Sequence, residues 1–485
     1  MAKFIENGYT FDDVLLLPAK SEVLPKDVST ASNLTKDIVL NTPILSAAMD
    51  TVTEYEMAIT MANAGGIGII HKNLTIKEQT RQVAKVKKYI NGYIDDPITV
   101  KKDDTLATVE TILAEAKISG LPVISDNNEL IGLITNRDLK YVIKDDRQVA
   151  EFMTSENLIT GTKGITITEA KELMQKNKIE KLPIVDDNNK LIGYMTSKDI
   201  DNFVNYQNAS KDQNGRLLCG AAIGVSEDVF ERVAELIKVE VDILVLDSAH
   251  GHSQGIMEIA QKIKKLYPTI GLVVGNIVTK EAALDLAALG VDAVKVGIGP
   301  GSICTTRIIS GVGRPQITAI NEVAEALKDT EVCVIADGGL KYSGDIAKAL
   351  AAGADVVMLG SLLAGTDQAP GEIYTLDGKL YKSYVGMGSL EAMNRGSKDR
   401  YFQGKVKNDK LISEGVSGAV SYKGDAAKVL HQLLGGVKSS MGYTGSPTIK
   451  VMQEATFQII SAATLNENHP HSILITQEQP NYKKK

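Results

Sequence analysis

The sequence predicts an α/β protein built on a closed (β/α)₈ barrel, and two observations lead to that class. First, eight short apolar runs each have Gly, Asp, Asn, Ser or His at or near the carboxyl end. Second, the later runs alternate with helical patterns, which indicates a parallel sheet covered on both faces. The runs span residues 38–50, 65–71, 219–225, 242–251, 271–278, 293–301, 332–339 and 356–365. Eight strands favour a closed barrel with its chemistry at the carboxyl ends, and an open doubly wound sheet is the alternative.

Composition and charge limit which binding partners and which cellular compartment the sequence supports. The chain has 485 residues, a net charge of −7 and three cysteines. An acidic balance without a basic patch gives no support for binding to nucleic acid or to an anionic membrane. The cysteines lie in or beside apolar runs without metal-ligand spacing, as expected in a reducing cytoplasm. The sequence shows neither a signal peptide nor an apolar stretch of membrane-spanning length, so we expect a cytoplasmic protein.

The barrel pattern is interrupted between about residues 93 and 206 by an internal repeat. The segment 120–135 recurs as 181–196, an offset of 61 residues. Each copy predicts two strands joined by an Asp-Asn-Asn turn, followed by a helix that begins within 135–138 or 196–199. The repeat resembles a tandem pair of cystathionine-β-synthase-type (CBS) modules, at about 93–150 and 151–206. The barrel would then comprise 1–92 and 207–485, since insertions into surface loops are tolerated.

The loop from Gly297 to Arg307, which follows the sixth run, is the strongest candidate for chemistry. Its glycines and proline predict an irregular loop with exposed backbone groups, and Cys304 lies at its tip. A free cysteine is usually a small buried hydrophobe, but a core cysteine needs no glycine loop. We therefore interpret Cys304 as a nucleophile, with the hydroxyls of Ser302 and Thr306 nearby.

The loops after the seventh and eighth runs look suited to a phosphate. They contain 336–339 (Ala-Asp-Gly-Gly) and 358–361 (Met-Leu-Gly-Ser). These loops of a barrel often bind phosphate through backbone N–H groups, although such glycines can also serve only as tight turns. Asp337 could accept hydrogen bonds from sugar hydroxyls, which makes a nucleotide the expected ligand.

A second ligand and a covering segment are indicated less directly. The chain has no Gly-x-Gly-x-x-Gly fingerprint after a strand, so a Rossmann dehydrogenase is not indicated. The polar groups at 247–251 and 275–276 could still hold a dinucleotide on a barrel. The polar, glycine-rich stretch 371–424 predicts a long active-site flap that carries Arg400 and Tyr401. Arginine is a poor general base unless its surroundings favour the neutral form.

Together, the cysteine loop, the Arg400–Tyr401 flap and the inserted repeat resemble the IMP dehydrogenase / GMP reductase family over nearly the whole chain. The dehydrogenase members oxidise IMP to XMP with NAD. The resemblance implies that Cys304 attacks C2 of the purine, that hydride leaves to the nicotinamide, and that a covalent thioimidate remains. The flap would then enter the vacated cofactor site, where Arg400, with Tyr401 and Thr306, activates the hydrolytic water.

The same resemblance assigns the binding residues. Around IMP it places Ser302, Asp337, Gly338, Gly339, Gly360, Ser361, Tyr384, Gly386, Met387, Gly388 and Glu414. On the cofactor side it places Asp247, Ser248, Asn276, Gly297 and Gly299. Asp337 would hold the ribose hydroxyls, the loops after the seventh and eighth runs the phosphate, and Met387 and Glu414 the hypoxanthine.

The resemblance also implies a monovalent cation, usually potassium, and a homotetramer. The cation would lie on the carbonyls of Gly299, Gly301 and Cys304, completed from a neighbouring subunit. The completing residues are Glu467, Asn468 and His469. The family more often has Ser or Gly at the position of Asn468, but backbone carbonyls bind the cation, so we expect little effect.

Related CBS pairs bind adenine or guanine nucleotides. Asp138 and Asp199, three residues after Thr135 and Thr196, match the ribose-binding aspartates of those modules. The alternative is that one or both clefts are empty and that the module only mediates assembly.

Two other functions remain open. A GMP reductase shares the barrel and the cysteine loop but needs no hydrolytic Arg-Tyr flap, so Arg400–Tyr401 favours the dehydrogenase. The inserted CBS pair favours it less strongly, because some reductases carry one. A catalytically silent nucleotide sensor is the second alternative, and the intact Cys304 and Thr306 disfavour it.

Overall fold

The computed structural model describes residues 5, 7–89, 97–116, 118–142, 146–197, 200, 206–476 and 481–482. The chain divides into two compact units. The first unit comprises Met1–Lys87 with Asn208–Lys485, and the second comprises Lys88–Gln207. The predicted boundary at 92/93 lies outside the described residues, and the predicted boundary at 206/207 lies one residue before the division at 207/208.

The first unit is a closed barrel of eight parallel strands. In chain order, the strands are β1 (Ile44–Ser46), β2 (Ile67–Ile70), β3 (Cys219–Ile223), β4 (Ile243–Asp247), β5 (Gly271–Ile277), β6 (Ala293–Val296), β7 (Cys333–Asp337) and β8 (Val356–Leu359). Each strand pairs with the next, and β8 returns to β1, which closes the ring. Each strand lies within one predicted apolar run, so the barrel prediction is confirmed and the open sheet is wrong.

Eight longer helices surround the strands. They are α1 (Tyr55–Asn63), α2 (Ile76–Lys87), α3 (Val229–Lys238), α4 (Gln254–Leu266), α5 (Lys280–Ala288), α6 (Gln316–Leu327), α7 (Ser343–Ala351) and α8 (Ala426–Thr444). Caps fix several of their ends: the Asp425 carboxylate accepts from the Lys428 N–H at the start of α8, and Gly445 ends that helix in the left-handed region. Helix α8 packs against α7 and α1, so the helical layer closes as the strands do.

The barrel interior is apolar and is covered at its amino end. A hairpin of Ser32–Asn33 and Val39–Leu40 places fully buried Leu34 and Leu40 in one cluster with interior residues such as Val273. A second antiparallel pair joins Val14–Leu16 to Phe457–Ile459. The short helices are Phe11–Asp13, Thr306–Ile309, Ser361–Ala364, Leu390–Arg395, Ser397–Tyr401, Asn408–Lys410, Ile449–Met452 and Thr464–Glu467. With the amino end covered, the carboxyl ends are left to form a site.

The stretch 371–424 is not the long loop that the sequence predicted. It contains a three-stranded antiparallel sheet of Ile373–Leu376, Lys379–Val385 and Ser417–Ser421. Asp377 and Gly378 form its first turn with φ of 49° and 72°. Asp-Gly between apolar runs is a strong sequence signal for a two-residue hairpin with positive φ at both positions, so this element could have been predicted. We keep the name flap for residues 371–424.

The second unit contains two copies of one motif, each a strand, a helix and a hairpin. The first copy has Val100–Lys101, Leu106–Ala116, Gly120–Ile124 and Leu130–Thr135. The second has Gly161–Thr162, Ile167–Asn177, Lys181–Val185 and Leu191–Thr196, and a 3₁₀ turn, Val149–Glu151, lies between the copies. Both hairpins are antiparallel, as predicted. The Asn128 and Asn189 amides donate reciprocally to Leu191 and Leu130 carbonyls, at 3.1 Å each, and join the two copies.

The helix predicted after Thr135 is wrong. Residues 136–142 form consecutive turns, in which the Asp138 and Leu139 N–H groups both donate to the Thr135 carbonyl. The Asp138 carboxylate accepts from the Thr135 N–H at 2.7 Å and from its hydroxyl at 2.8 Å. The same pair of bonds between Thr166 and Glu169 begins the helix Ile167–Asn177, so these bonds do not explain the turns at 136–142. Throughout the described ranges, no helix is long and apolar enough to cross a membrane.

Candidate active site

A cavity opens at the carboxyl ends of the barrel strands and brings most of the predicted residues together. Its lining includes Cys304, Arg400, Tyr401, Ser302, Asp337, Gly338, Gly339, Gly360, Ser361, Tyr384, Gly386, Met387, Gly388, Glu414, Asp247, Asn276, Gly297, Gly299 and Gly301. Outside the lining are Thr306, Ser248, Glu467, Asn468 and His469. Pro300, Ile303, Met358 and Leu359 of the predicted loops also line it. Residues that sequence reasoning missed complete the lining: Ala47, Ala48, Met49, Val245, Lys295 and Leu340.

The cysteine loop leaves β6 through a glycine that no other residue could replace. Gly297 has φ of 148°, and a Cβ atom there would lie 2.1 Å from the Asp337 carbonyl oxygen. The loop then turns tightly, since the Cys304 N–H donates to the Gly301 carbonyl at 3.1 Å. The Cys304 thiol donates to the Thr306 hydroxyl at 3.2 Å. Thr306 therefore contacts the sulfur although it lies outside the cavity lining.

The three cysteines differ in environment as their sequence contexts suggested. Cys219 and Cys333 are buried, and burial raises the pKa of both thiols, that of Cys333 to about 12. Cys304 is partly exposed and faces the cavity. A thiolate forms least readily at the two buried sites, because low-dielectric surroundings penalise the charge. Cys304 is thus the cysteine placed to react with a bound ligand.

The flap is docked on the cysteine loop. The Thr305 N–H donates to the Glu414 carbonyl at 2.9 Å, and the Val416 N–H donates to the Ile303 carbonyl at 3.0 Å. The Cys304 thiol also lies 3.7 Å from the Glu414 carbonyl oxygen. These antiparallel contacts place Glu414 beside the sulfur, so one wall of the cavity belongs to the flap.

The wall formed by β6–β8 presents a carboxylate, and the flap places the Tyr384 phenol over it. Asp337, at the end of β7, accepts from the Lys295 ammonium and from the Asn276 amide, each at 2.8 Å. Tyr384 is buried, which raises its pKa, while a hydrogen bond with Ser302 acts in the opposite direction. A Cβ atom at Gly360 would lie 2.8 Å from the Tyr384 hydroxyl, so the phenol lies directly over that loop. The Tyr384 phenol, Ser302 and the backbone at Gly360 therefore lie together, beside a loop that was predicted to bind phosphate.

Lys295 is the most informative residue that sequence reasoning missed. Its side chain is 2% exposed, and its ammonium lies 2.9 Å from Asp247 and 2.8 Å from Asp337. It also donates to the amide oxygen of Asn276. One buried cation thus joins the ends of β4, β5 and β7. The signal in the sequence is a single lysine inside the apolar run of β6, since a buried charge needs partners.

The flap also covers the cofactor side. The Arg400 guanidinium forms an ion pair with Asp247, and the Arg400 carbonyl accepts from the Ala249 N–H at 3.0 Å. Tyr401 lies beside it and is partly exposed; desolvation raises the pKa of its phenol, and the Arg400 charge acts in the opposite direction. Ser248 lies next to this contact, and its backbone exchanges two hydrogen bonds of 2.8 Å with Gly275 and Asn276.

The predicted cation residues belong to the cysteine loop and to the segment 467–469. The described residues contain no cluster of three or more His, Cys, Asp or Glu suited to a metal. A cation at the cysteine loop would therefore rely on carbonyl oxygens, which suit hard monovalent ions. Glu467 ends the short helix Thr464–Glu467, and the His469 ring lies 6.0 Å from that of Tyr342 in the same chain. Glu467, Asn468 and His469 lie outside the lining of the cavity.

The second unit has a cavity of its own. It is lined by Ser119, Leu133, Thr135, Asn136, Arg137, Asp138, Thr154, Asn157, Leu158, Ile159, Lys178, Ile179, Glu180, Lys181 and Pro183. The Asp138 carboxylate is held there by Thr135. The matching residue of the second copy, Asp199, lies outside the described residues.

Fold and site define a (β/α)₈-barrel enzyme whose cysteine faces a ligand cavity closed by a flap. The family model described as IMP dehydrogenase / GMP reductase domain matches residues 8–471. The chain belongs to this family. It is 53% identical to an inosine-5′-monophosphate dehydrogenase of Aquifex aeolicus over 99% of this chain and 98% of that protein. It is 50% identical to the enzyme of that name from Bacillus subtilis over 99% of both chains.

A solved relative belongs to the other branch of the family. A GMP reductase from Trypanosoma brucei, in complex with guanosine 5′-monophosphate, is 36% identical with a TM-score of 0.89. The match covers 97% of this chain and 99% of that chain. Coverage this complete extends into the inserted unit, so that unit does not separate dehydrogenase from reductase. The distinction between dehydrogenase and reductase therefore has to rest on the flap residues.

Proposed function

We propose that the protein oxidises IMP to XMP with NAD, a step towards guanine nucleotides. The observation that carries the proposal is a flap that places Arg400 and Tyr401 in one cavity with Cys304. Relatives that are 50–53% identical over nearly the whole chain are named inosine-5′-monophosphate dehydrogenases. The cytoplasmic location stays a prediction from the cysteines.

IMP would bind across β6–β8. Asp337 would accept hydrogen bonds from the ribose hydroxyls, because its carboxylate faces the cavity and is held by Lys295 and Asn276. The phosphate would lie at the loops after β7 and β8 under the Tyr384 phenol. The flap wall beside Cys304, with Glu414, would hold the hypoxanthine. The nucleotide monophosphate bound to the solved GMP reductase is consistent with a ligand of this class.

In the first half-reaction, the Cys304 sulfur adds to C2 of the purine after losing its proton. NAD supplies the acceptor for the hydride that leaves C2, and a thioimidate to Cys304 remains. Water then adds to C2, and the thiol leaves with a proton to give XMP. A covalent route divides one hard displacement into two easier steps. The Thr306 hydroxyl, in hydrogen-bond contact with the sulfur, is placed to assist both steps.

The dinucleotide and the docked flap would use the same wall. Asp247, Ser248 and Asn276 are the polar groups predicted to hold the cofactor. With the flap docked, the Asp247 carboxylate is paired with the Arg400 guanidinium, and the Asn276 side chain is hydrogen-bonded to Lys295 and Asp337. The residues therefore fit a polar ligand only after the segment with Arg400 withdraws. Alternation between cofactor and flap would shield the intermediate and admit the water-activating groups afterwards.

Arg400, with Tyr401 and Thr306, would activate the hydrolytic water. The partner of the Arg400 guanidinium is the Asp247 carboxylate. In this arrangement Arg400 can orient water and stabilise developing negative charge. To accept a proton it would have to separate from Asp247. Desolvation raises the pKa of Tyr401, so its phenol remains a proton donor at neutral pH.

A monovalent cation, potassium in the family, would lie on the carbonyls of Gly299, Gly301 and Cys304. Glu467, Asn468 and His469 would complete the site from a neighbouring subunit, which implies a homotetramer. Sedimentation of the protein, with and without potassium, tests the assembly directly.

The second unit, which we assign to residues 93–206 as a CBS pair, would bind an adenine or guanine nucleotide at Asp138 and Asp199. The cavity beside Asp138 supports this proposal. Titration of the full-length protein with ATP and GTP, beside an Asp138→Ala variant, tests it. Equal binding by both proteins would contradict a role for Asp138.

The central experiment follows NADH formation by the purified protein with IMP, NAD and potassium, beside Cys304→Ala. We expect turnover that the variant lacks. Consumption of NADPH with GMP, and no reaction with IMP, would move the assignment to a GMP reductase. Inactivity in both assays would leave the nucleotide-sensing alternative.

A further inference from the structure

Lys72 is a buried cation that the proposed mechanism does not use. It lies two residues after β2, at the carboxyl edge of the barrel, and its side chain is 8% exposed. Its ammonium donates to the Asp399 carboxylate and to the Gly396 carbonyl, the latter at 3.3 Å. Both acceptors belong to the flap. Burial lowers the pKa of Lys72, and the Asp399 charge acts in the opposite direction.

Asp399 bridges the flap to two barrel strands. One carboxylate oxygen accepts from Lys72 and from the Arg400 N–H, and the other accepts from the Val225 N–H at 3.3 Å. Val225 lies two residues after β3. The carboxylate is 12% exposed, so its contacts are largely shielded from water and from salt.

The barrel leaves room for this carboxylate at Gly224. A Cβ atom there would lie 2.3 Å from the Asp399 carboxylate oxygen and 3.0 Å from the Lys72 Cε atom. Lys72, Gly224 and the Val225 N–H together form a receptor for one side chain, which we call the Asp399 receptor. Asp399 immediately precedes Arg400 in the chain. By holding Asp399, the receptor fixes the position of Arg400 and Tyr401 over the barrel.

We propose that Lys72 is a positioning residue that, through Asp399, holds Ser397–Tyr401 on the barrel and sets how readily the dinucleotide displaces it. The proposal rests on the proposed function. Arg400 covers Asp247 only while this segment is docked. Weakening the Asp399 receptor should therefore slow hydrolysis and ease entry of the cofactor. Hydride transfer takes place with the segment withdrawn and should be unaffected.

The test compares Lys72→Gln with Lys398→Gln. Both variants lose one positive charge, but among the described residues Lys398 is paired with no carboxylate, although it adjoins Asp399 in sequence. We expect Lys72→Gln to keep the rate of the first NADH burst within about twofold, to lower kcat about tenfold and to lower the KM for NAD. Lys398→Gln should match the parent protein. Loss of burst and steady-state rates together, or a raised KM, would overturn the proposal.

Amide hydrogen exchange of residues 397–403 gives a readout that needs no activity. It should become faster in Lys72→Gln and not in Lys398→Gln. Altered exchange without any IMP oxidation by the parent protein would remove the proposed function but keep the role of Lys72. Normal oxidation with unchanged exchange would remove the role of Lys72 alone.

Asp399→Asn provides a second route if Lys72→Gln lowers the yield of folded protein. It should show the same separation of burst and steady-state rates, because both partners act through one contact. In the double variant the two effects should be clearly less than additive. Full additivity would show that Lys72 acts independently of Asp399 and would overturn the proposal.

Discussion

The two walls of the cavity are built in different ways. The substrate wall, along β6–β8, consists of residues at or just beyond strand ends, such as Asp337 and Gly360. The cofactor wall, along β2–β4, is covered by a segment that comes from far along the chain and is held by two ion pairs, Lys72–Asp399 and Arg400–Asp247. The barrel thus supplies a fixed surface for one ligand and an exchangeable surface for a second ligand or the flap.

The largest expected effect tests whether the chemistry belongs to the substrate wall at all. Cys304→Ser should lower turnover of IMP by at least about 10³-fold, because a serine hydroxyl without a general base is a far weaker nucleophile than a thiolate. Steady-state NADH formation measures it. Cys333→Ala is the matched control: this cysteine is buried at the start of β7, and its loss should affect stability but not kcat. Comparable activity loss in both variants would contradict the assignment.

The second prediction separates the two walls. Arg400→Gln should lower steady-state turnover about 10²- to 10³-fold while a burst of one NADH per active site persists, because only hydrolysis needs the docked segment Ser397–Tyr401. Rapid-mixing absorbance resolves the two phases. Arg395 is another arginine of the flap, and its side chain is 50% exposed. Arg395→Gln should therefore behave as the parent protein. Absence of the burst in Arg400→Gln would mean that the flap also serves hydride transfer.

A smaller effect is expected for recognition on the substrate wall. Asp337→Asn should raise the KM for IMP about tenfold to hundredfold, because hydrogen bonds to a charged acceptor are stronger than those to an amide. Initial rates at varied IMP measure it. Asp355→Asn makes the same change at the amino end of the barrel, where the carboxylate accepts from the Val334 N–H at 2.8 Å. That control should leave the KM unchanged; an equal rise would indicate a general loss of structure.

The same two walls show what the sequence could predict. Residues that follow a strand directly, such as Asp337 and Gly360, could be placed because every parallel strand ends at one edge. Lys295 was missed because it was assigned to a strand interior, and its partners Asp247 and Asp337 lie on other strands. The hairpin turn at Asp377–Gly378 had a readable signal that the glycine-rich composition of the flap obscured.

Contacts across the long sequence separation between barrel and flap could not be predicted. Lys72 and Asp399 are separated by 327 residues, and neither belongs to a motif. Burial of such a pair depends on the space left at Gly224, which is a property of the folded barrel. The helix expected after Thr135 is replaced by turns, and no local contact explains this, because the bonds between Thr135 and Asp138 are also those of a helix start.

The smallest expected effect concerns the inserted unit, whose removal should leave both walls intact. Lys87, at the end of α2, is buried and bonded to the carboxylates of Asp212 and Asp242 and to the Leu217 carbonyl, at 2.8–3.1 Å. This cluster fixes the segments on either side of the insertion within the barrel itself.

Replacement of residues 88–207 by a short Gly-Ser linker should therefore change kcat and the KM for IMP by no more than about threefold. Steady-state assays of the shortened protein measure both constants. Lys87→Met in the full-length chain should be more damaging than the deletion, because it leaves the largely shielded carboxylate of Asp242 without its cation. A shortened protein that folds but loses turnover would show that the second unit contributes to the barrel's active site.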